Sequence, residues 1–326
     1  MACQTREPSQ SNLTLKQMRP DSYHIRTNLK TKRVPEIRPP GRVFTYGKIV
    51  TTILFVTRSF LYYLFFLLSR ITPARNVAVL AYHSIGVNNS YFTVKPEVFG
   101  KHIEYLRRNH IIVGLDEIVD FVRGERALPP KSVAITFDDG YYDNYLNVYP
   151  LLRKHNLPAT IFVSTGYVGS RRRLGDVPLT MLNWNTISEM SQMGITFGAH
   201  TVSHPHLPNI NLQDARGEIL RSKTEIEERI KKDVGYFAHP FGEVDEPLVR
   251  LTERLGFKAA FSGEGLVRRG DNPFKLNRIS VDSSINFIMF KIGLSVGSEW
   301  YRRIEPIVAK LISNLLPTDA LQSHMK

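Results

Sequence analysis

Residues 132–144 read SVAITFDDGYYDN: a near-continuous apolar run, two aspartates and a glycine, then a polar stretch that opens a helical pattern. An apolar run of this length and composition predicts a strand buried on both faces, as strands of a parallel sheet are. The same pattern recurs to either side, predicting strands at 77–83 (VAVLAYH), 158–164 (PATIFVS), 195–200 (ITFGAH), 235–240 (GYFAHP), 257–261 (FKAAF) and 275–281 (KLNRISV). Between them, apolar residues spaced i, i+3, i+4 predict helices at 96–109, 115–123, 143–155, 185–193, 211–232 and 246–255, with Gly124, Gly194 and Gly256 as stop signals. Seven strands with intervening helices predict an α/β fold, a distorted or incomplete (β/α)7 barrel in a single domain at 76–282. Residues 283–326 hold two further amphipathic stretches, read as a C-terminal helical extension packed on the barrel, with membrane-surface or partner binding as the alternative.

The chain is 326 residues long, and its 42% hydrophobic and 22% charged residues exclude a disordered, collagen-like or disulfide-stapled protein. The one cysteine, Cys3, can close no internal disulfide and form no thiolate metal site. The net charge of +13 would suit an acidic partner, but its distribution decides what that means. Ten of the cations fall in residues 1–48 against three acids, so this segment reads as a basic disordered tail facing the cytoplasm. No basic stretch interleaved with aromatics follows it, which removes nucleic acid as a partner.

After the tail comes IVTTILFVTRSFLYYLFFLL, residues 49–68, long enough to cross a bilayer core. Its single charge, Arg58, costs about 2.5–3.5 kcal/mol at the centre of a span, against about 0.3–0.6 kcal/mol returned by each favourably placed apolar residue. Segment 49–70 is therefore expected to be a transmembrane or membrane-anchoring helix, with the lipid bilayer as a partner. An interfacial helix on the cytoplasmic face is the alternative. With ten cations before the segment and only Arg70 and Arg75 just beyond it, a single-pass arrangement places the barrel outside the cytoplasm.

Two stretches concentrate chemistry. Asp138 and Asp139 stand at the C-terminal end of a predicted parallel strand, where barrels carry their catalytic groups, although an Asp-Asp-Gly turn capping the next helix has the same sequence. AHTVSHPHL, residues 199–207, places His200, His204 and His206 within seven residues at the end of another strand. Imidazoles this close suggest a metal site, and with one carboxylate they make a His2Asp set that suits Zn2+ and also accepts Co2+, Ni2+ or Fe2+.

TFDDG, followed by HTVSH and then FAHPFG (residues 237–242), resembles the polysaccharide deacetylases of carbohydrate esterase family 4, the NodB-homology domain. LAYHSI and LNWNTISEM are similar to the branch of exported poly-N-acetylglucosamine deacetylases. The resemblance covers roughly residues 77–281. It implies metal-dependent hydrolysis of N-acetyl groups on amino sugars of a polysaccharide or its lipid-linked precursor. It further implies Asp138 as the base, Asp139, His200 and His204 as metal ligands, and the backbone N–H of Phe241 as oxyanion donor. Two features depart from the family pattern: Ala238 stands where many members carry an arginine that tethers the base, and no late histidine in a Leu-x-His context supplies the acid. His83 and His239, each ending a predicted strand, are the candidate acids; a hydrogen-bonded core histidine is the alternative for either. Tyr141 and Tyr142 are candidates to stack on sugar rings or to cover the barrel mouth, and Trp184 is a candidate substrate contact or a core residue. Given the missing acid, a carbohydrate-binding pseudoenzyme with the same barrel and metal site is the competing function.

The topology has a direct test. The full-length protein should resist alkaline carbonate extraction, and a reporter fused after Lys326 should be active only outside the cytoplasm. Arg58→Leu should change neither result. Release of the wild type by carbonate, with the variant newly resistant, would identify an interfacial helix instead.

Overall fold

A computed structural model describes residues 76–174 and 177–315, together with a few positions between 60 and 68. Most of the apolar segment 49–70 and the whole basic tail lie outside the described residues. Among the described residues no helix is long and apolar enough to cross a membrane.

Seven parallel strands form the centre: β1 (Asn76–Tyr82), β2 (Ser132–Phe137), β3 (Thr160–Val163), β4 (Thr196–Ala199), β5 (Tyr236–Ala238), β6 (Ala259–Glu264) and β7 (Leu276–Ser280). β1 pairs with β2 from Ala78↔Val133 to Tyr82↔Phe137 and with β7 through Leu80↔Ile279 and Ala81↔Ser280, which closes the sheet into a barrel. The expected distortion is present. β4 and β5 share the single pairing Phe237↔Ala199, and the register between β6 and β7 shifts between Phe261 and Glu264.

Successive residues of a strand point to opposite faces, and the two faces bury different partners. Val77 and Val79 of β1 cluster with Ala134, Phe162, Ala238, Phe261 and Leu276 in the barrel interior. Ala78, Leu80 and Tyr82 face the other way and join the layer beneath the helices with Val133, Ile135 and Phe137. Gly198 on β4 makes room for the interior ring of Phe162: a Cβ there would lie 2.5 Å from its Cδ1.

Helices α1 (Pro96–Asn109), α2 (Leu115–Arg123), α3 (Tyr149–Lys154), α4 (Trp184–Gln192), α5 (Leu212–Ile230) and α6 (Glu246–Arg254) follow the strands, and all but α3 keep close to the bounds expected from sequence. The local caps explain several starts. The side chains of Asn183, Asn211 and Asp245 accept backbone N–H groups from the first turns of α4, α5 and α6, satisfying donors that have no partner within the helix.

The one helix expected at 143–155 is divided into a π-helical turn over Asn144–Val148 and the short α3. Pro150 has no N–H to donate to the carbonyl four residues earlier, so a regular helical ladder cannot run through it. A hairpin of Arg171–Leu174 and Val177–Thr180, absent from the sequence reading, stands between β3 and α4. Its first strand is mostly arginine and lacks the apolar alternation that signals a strand. Beyond β7 the chain forms α7 (Phe287–Gly293) and α8 (Val296–Leu315). The Phe290 ring of α7 lies flat on His102 of α1 with 3.8 Å between centroids, and Glu299 of α8 pairs with Arg268 beside the start of β1.

Candidate metal and hydrolytic site

The C-terminal ends of the strands surround a cavity of about 520 Å³ lined by Asp138, Asp139, His83, His200, His204, Arg172 and Arg278, among others. β2 delivers the two aspartates. Asp139 takes a left-handed φ of 70° and Gly140 one of 80°, a turn that separates the consecutive carboxylates. Both are buried, and each meets different partners.

Asp138 is held by Arg278 of β7. Nη1 donates to Oδ1 at 2.7 Å and Nη2 to Oδ2 at 2.6 Å, a two-pronged contact in which both groups are buried. Nη1 also donates to Oγ1 of Thr136 at 3.1 Å. Burial pushes the Asp138 carboxyl upward, but the charges of Arg278 and then His200, with the Arg278 hydrogen bonds, hold it well below the usual carboxylate range.

Asp139 has the complementary arrangement. Its Oδ2 accepts the Tyr141 hydroxyl at 2.7 Å, whereas its Oδ1 is buried without a hydrogen-bond partner. Nε2 of His204 lies 3.2 Å and Nε2 of His200 3.7 Å from that oxygen. The carbonyl of Ala238 can only accept, so Nδ1 of His200, 2.7 Å away, carries the proton and leaves the Nε2 lone pair facing Asp139. One ligand atom from each of Asp139, His200 and His204 falls within 4.8 Å of the others. An orphaned carboxylate oxygen beside two imidazole nitrogens, one with its tautomer fixed, fits a divalent metal. Burial lowers both imidazoles, His204 to about 4, which favours the neutral form that binds metals.

The histidine loop is held from outside. Glu218 of α5 accepts the backbone N–H groups of Val202 and Ser203 at 2.9 and 2.8 Å, and the His204 N–H donates to Oγ1 of Thr201 at 3.0 Å. Thr201, His204 and Phe241 all have φ near 60°. With Asp139 they make up four of the seven non-glycine residues in that region among the described residues, so backbone strain is concentrated around the cavity.

This arrangement coincides with a family match. The family profile described as polysaccharide deacetylase matches residues 125–260, which contain both aspartates, both histidines and Phe241. Residues 125–260 thus match a polysaccharide deacetylase domain of the NodB type. It is 29% identical over 216 residues to YxkH of Bacillus subtilis, which is named as a polysaccharide deacetylase; the match covers 66% of this chain and 74% of that one. It is 26% identical over 201 residues to the poly-beta-1,6-N-acetyl-D-glucosamine N-deacetylase of Staphylococcus aureus, covering 58% and 68%. Among solved structures, IcaB from Ammonifex degensii superposes with a TM-score of 0.59 at 26% identity, covering 65% of this chain and 94% of that one. Homologues in that family are hydrolases that act on N-acetyl amide bonds.

The cavity takes in some of the residues expected from sequence and excludes others. His83 lines it, with its side chain 31% exposed and Nε2 4.0 Å from Oδ2 of Asp138. His239 does not: it is fully buried, neither ring nitrogen has a hydrogen-bond partner, and burial pushes it down to about 3. Of the two candidate acids, only His83 opens on the cavity. Tyr141 is buried in the lining, so it supports Asp139 and presents no face to a sugar. Tyr142 packs beside Tyr145, and Trp184 lies half-buried against the helical layer under the Arg229 guanidinium, as its core alternative has it; neither lines the cavity. His206, third of the histidine cluster, stacks flat on Phe241 at 3.8 Å and pairs with Glu243.

Two cations were missed. Arg278 fills the tethering role that Ala238 vacates, from a different strand, and its signal was an arginine inside the apolar run KLNRISV. Arg172 carried no comparable signal in RRRLGD.

Arg278→Met should lower the unfolding free energy at pH 7 by about 3–5 kcal/mol, the cost of stranding a buried charge. With Arg278 present, Asp138 has a lowered folded pKa, so the pair contributes stability above about pH 4 and loses it as pH falls through that lower value. Without Arg278, burial raises the pKa, and the variant recovers as acid neutralises the carboxyl. The gap between wild type and variant in urea denaturation should therefore narrow from pH 7 to pH 5. A gap that does not change with pH would assign the loss to the packing of Arg278 over Phe162.

Proposed function

We propose that this protein is a metal-dependent N-deacetylase acting on a polymer of N-acetylglucosamine, or its lipid-linked precursor, outside the cytoplasm. The observation that carries the reading is the division of labour between adjacent carboxylates: Asp138 clamped by Arg278, and Asp139 with an open oxygen facing two imidazoles. The Staphylococcus aureus relatives support the choice of sugar, and the charge asymmetry around residues 49–68 supports the location.

Asp139, His200 and His204 would hold the metal, and the His2Asp donor set favours Zn2+, with Co2+, Ni2+ or Fe2+ also acceptable. When bound, the metal supplies Lewis acidity, lowering the pKa of a water and polarising the acetyl carbonyl. Asp138, kept ionised by Arg278, takes a proton from the attacking water. The backbone N–H of Phe241, in the strained turn PFG at the cavity rim, serves as donor to the acetyl oxygen as negative charge develops on it. His83 opens on the same cavity and returns a proton to the departing amine, so that amide and water leave as acetate and free amine.

Two sets of variants test these roles. Asp139→Ala, His200→Ala and His204→Ala should each lower bound metal, whereas Asp138→Asn should keep the metal and lose most acetate release from N-acetylglucosamine oligomers. Metal loss in Asp138→Asn with full occupancy in Asp139→Ala would reverse the two roles, and affinity for the polymer without any acetate release by the wild type would favour a binding protein.

His83→Gln should reduce the rate about 10²–10⁴-fold at unchanged metal content, the range for losing a general acid. A rate equal to wild type would assign the amine's proton to solvent or to Asp138.

A further inference from the structure

The hairpin that escaped the sequence reading turns one side chain into the cavity. Arg171 and Arg173 are exposed, while Arg172 between them points inward, as strand alternation requires. Its side chain is 12% exposed, and its guanidinium carbon lies 4.6 Å from the centre of the Tyr167 ring. The base of the hairpin is fastened to the turn that carries Asp139: Tyr141 and Met181 form a bridge, and the Leu182 N–H donates to the Gly140 carbonyl at 2.8 Å.

Nη1 of Arg172 lies 3.2 Å from Oδ1 of Asp139, close enough for attraction but without hydrogen-bond geometry. Both atoms are buried and lack a hydrogen-bond partner. The Asp139 oxygen is explained by a metal; the arginine nitrogen is not. Arg278, the other arginine in the lining, spends its donors on Asp138 and Thr136. Arg172 therefore brings an unspent donor to the candidate metal site, where an unmade hydrogen bond is costly.

Charge counting says what that donor faces. Asp139 and Arg172 cancel, and imidazoles that ligate a metal are neutral. A dication added to this neutral set leaves two positive charges in excess in a desolvated place, which calls for an anion. Amide hydrolysis makes one twice at the same carbon, first as an oxyanion and then as acetate. A guanidinium is the side chain whose fork matches a carboxylate.

We propose that Arg172 holds the anion of the acetyl site, its Nη1–H donating to the acetyl oxygen as that oxygen becomes negative and then to an oxygen of the released acetate. The inference rests on the deacetylase reading above. Arg172 adds to the Phe241 N–H a second donor that is charged and enters from a different loop.

The test uses the zinc-loaded full-length protein and its Arg172→Met and Arg172→Lys variants, with acetate as the probe. Zinc content is measured directly, acetate binding by calorimetry, and turnover by amine release with acetate as product inhibitor. Arg172→Met should keep its zinc, bind acetate at least about tenfold more weakly, and lose about 10²–10³ in kcat, the range for removal of one oxyanion donor. Arg172→Lys, which keeps the charge but not the fork, should recover part of both. Unchanged acetate affinity in a folded, zinc-loaded Arg172→Met would overturn the proposal. So would tighter zinc binding with undiminished rate, which would make Arg172 a competitor for Asp139. A wild type that releases no acetyl group from any substrate would instead remove the deacetylase reading, whatever calorimetry finds.

Discussion

Two carboxylates in succession at the end of one strand must both stay ionised inside a buried cavity, and most of the site can be derived from that requirement. Alone, either would take up a proton, because desolvation raises a carboxyl pKa. The chain separates the two problems. Asp138 turns toward β7 and is neutralised by Arg278 through two hydrogen bonds, while Asp139 turns toward β4, where His200 and His204 leave room for a metal. The division depends on barrel closure, since β7 reaches β2 only by way of β1, which pairs with both.

Holding the ligands in place costs conformational energy. Asp139, Thr201, His204 and Phe241 all occupy the left-handed region, and a non-glycine residue there persists only where its surroundings fix it. Those surroundings are identifiable: the Tyr141 hydroxyl on Asp139, the Glu218 carboxylate under the histidine loop, the Ala238 carbonyl on His200 and the His206 ring against Phe241. Several belong to segments that touch no candidate ligand in sequence, so the scaffold beyond the motifs sets the geometry of the motifs.

The base-tethering arginine shows how a family pattern can be met by other means. Ala238 sits where a guanidinium is common, and its side chain fills the barrel interior instead. Its carbonyl still orients His200, a task that needs only backbone. The positive charge comes from β7, two strands away in the barrel order. Charge compensation requires proximity and direction, and it is indifferent to which strand supplies them.

The alternation of apolar runs with helical spacing determined the barrel, the strand that carries each motif and most helix bounds, because a buried parallel strand and an amphipathic helix have periods that can be read locally. The Asp-Asp and His-x-x-x-His spacings likewise determined the ligand candidates, since those residues lie at strand ends and act with near neighbours. What only the tertiary structure decided depends on contacts between distant segments. Arg278 meets Asp138 across 140 positions, and His83 faces the cavity while His239, equally plausible as a strand-ending histidine, is buried below it. The place of Arg172 was hidden for the same reason: a polar hairpin has no periodic signature, and only its pairing beside Tyr141 and Gly140 brings one of three consecutive arginines to Asp139.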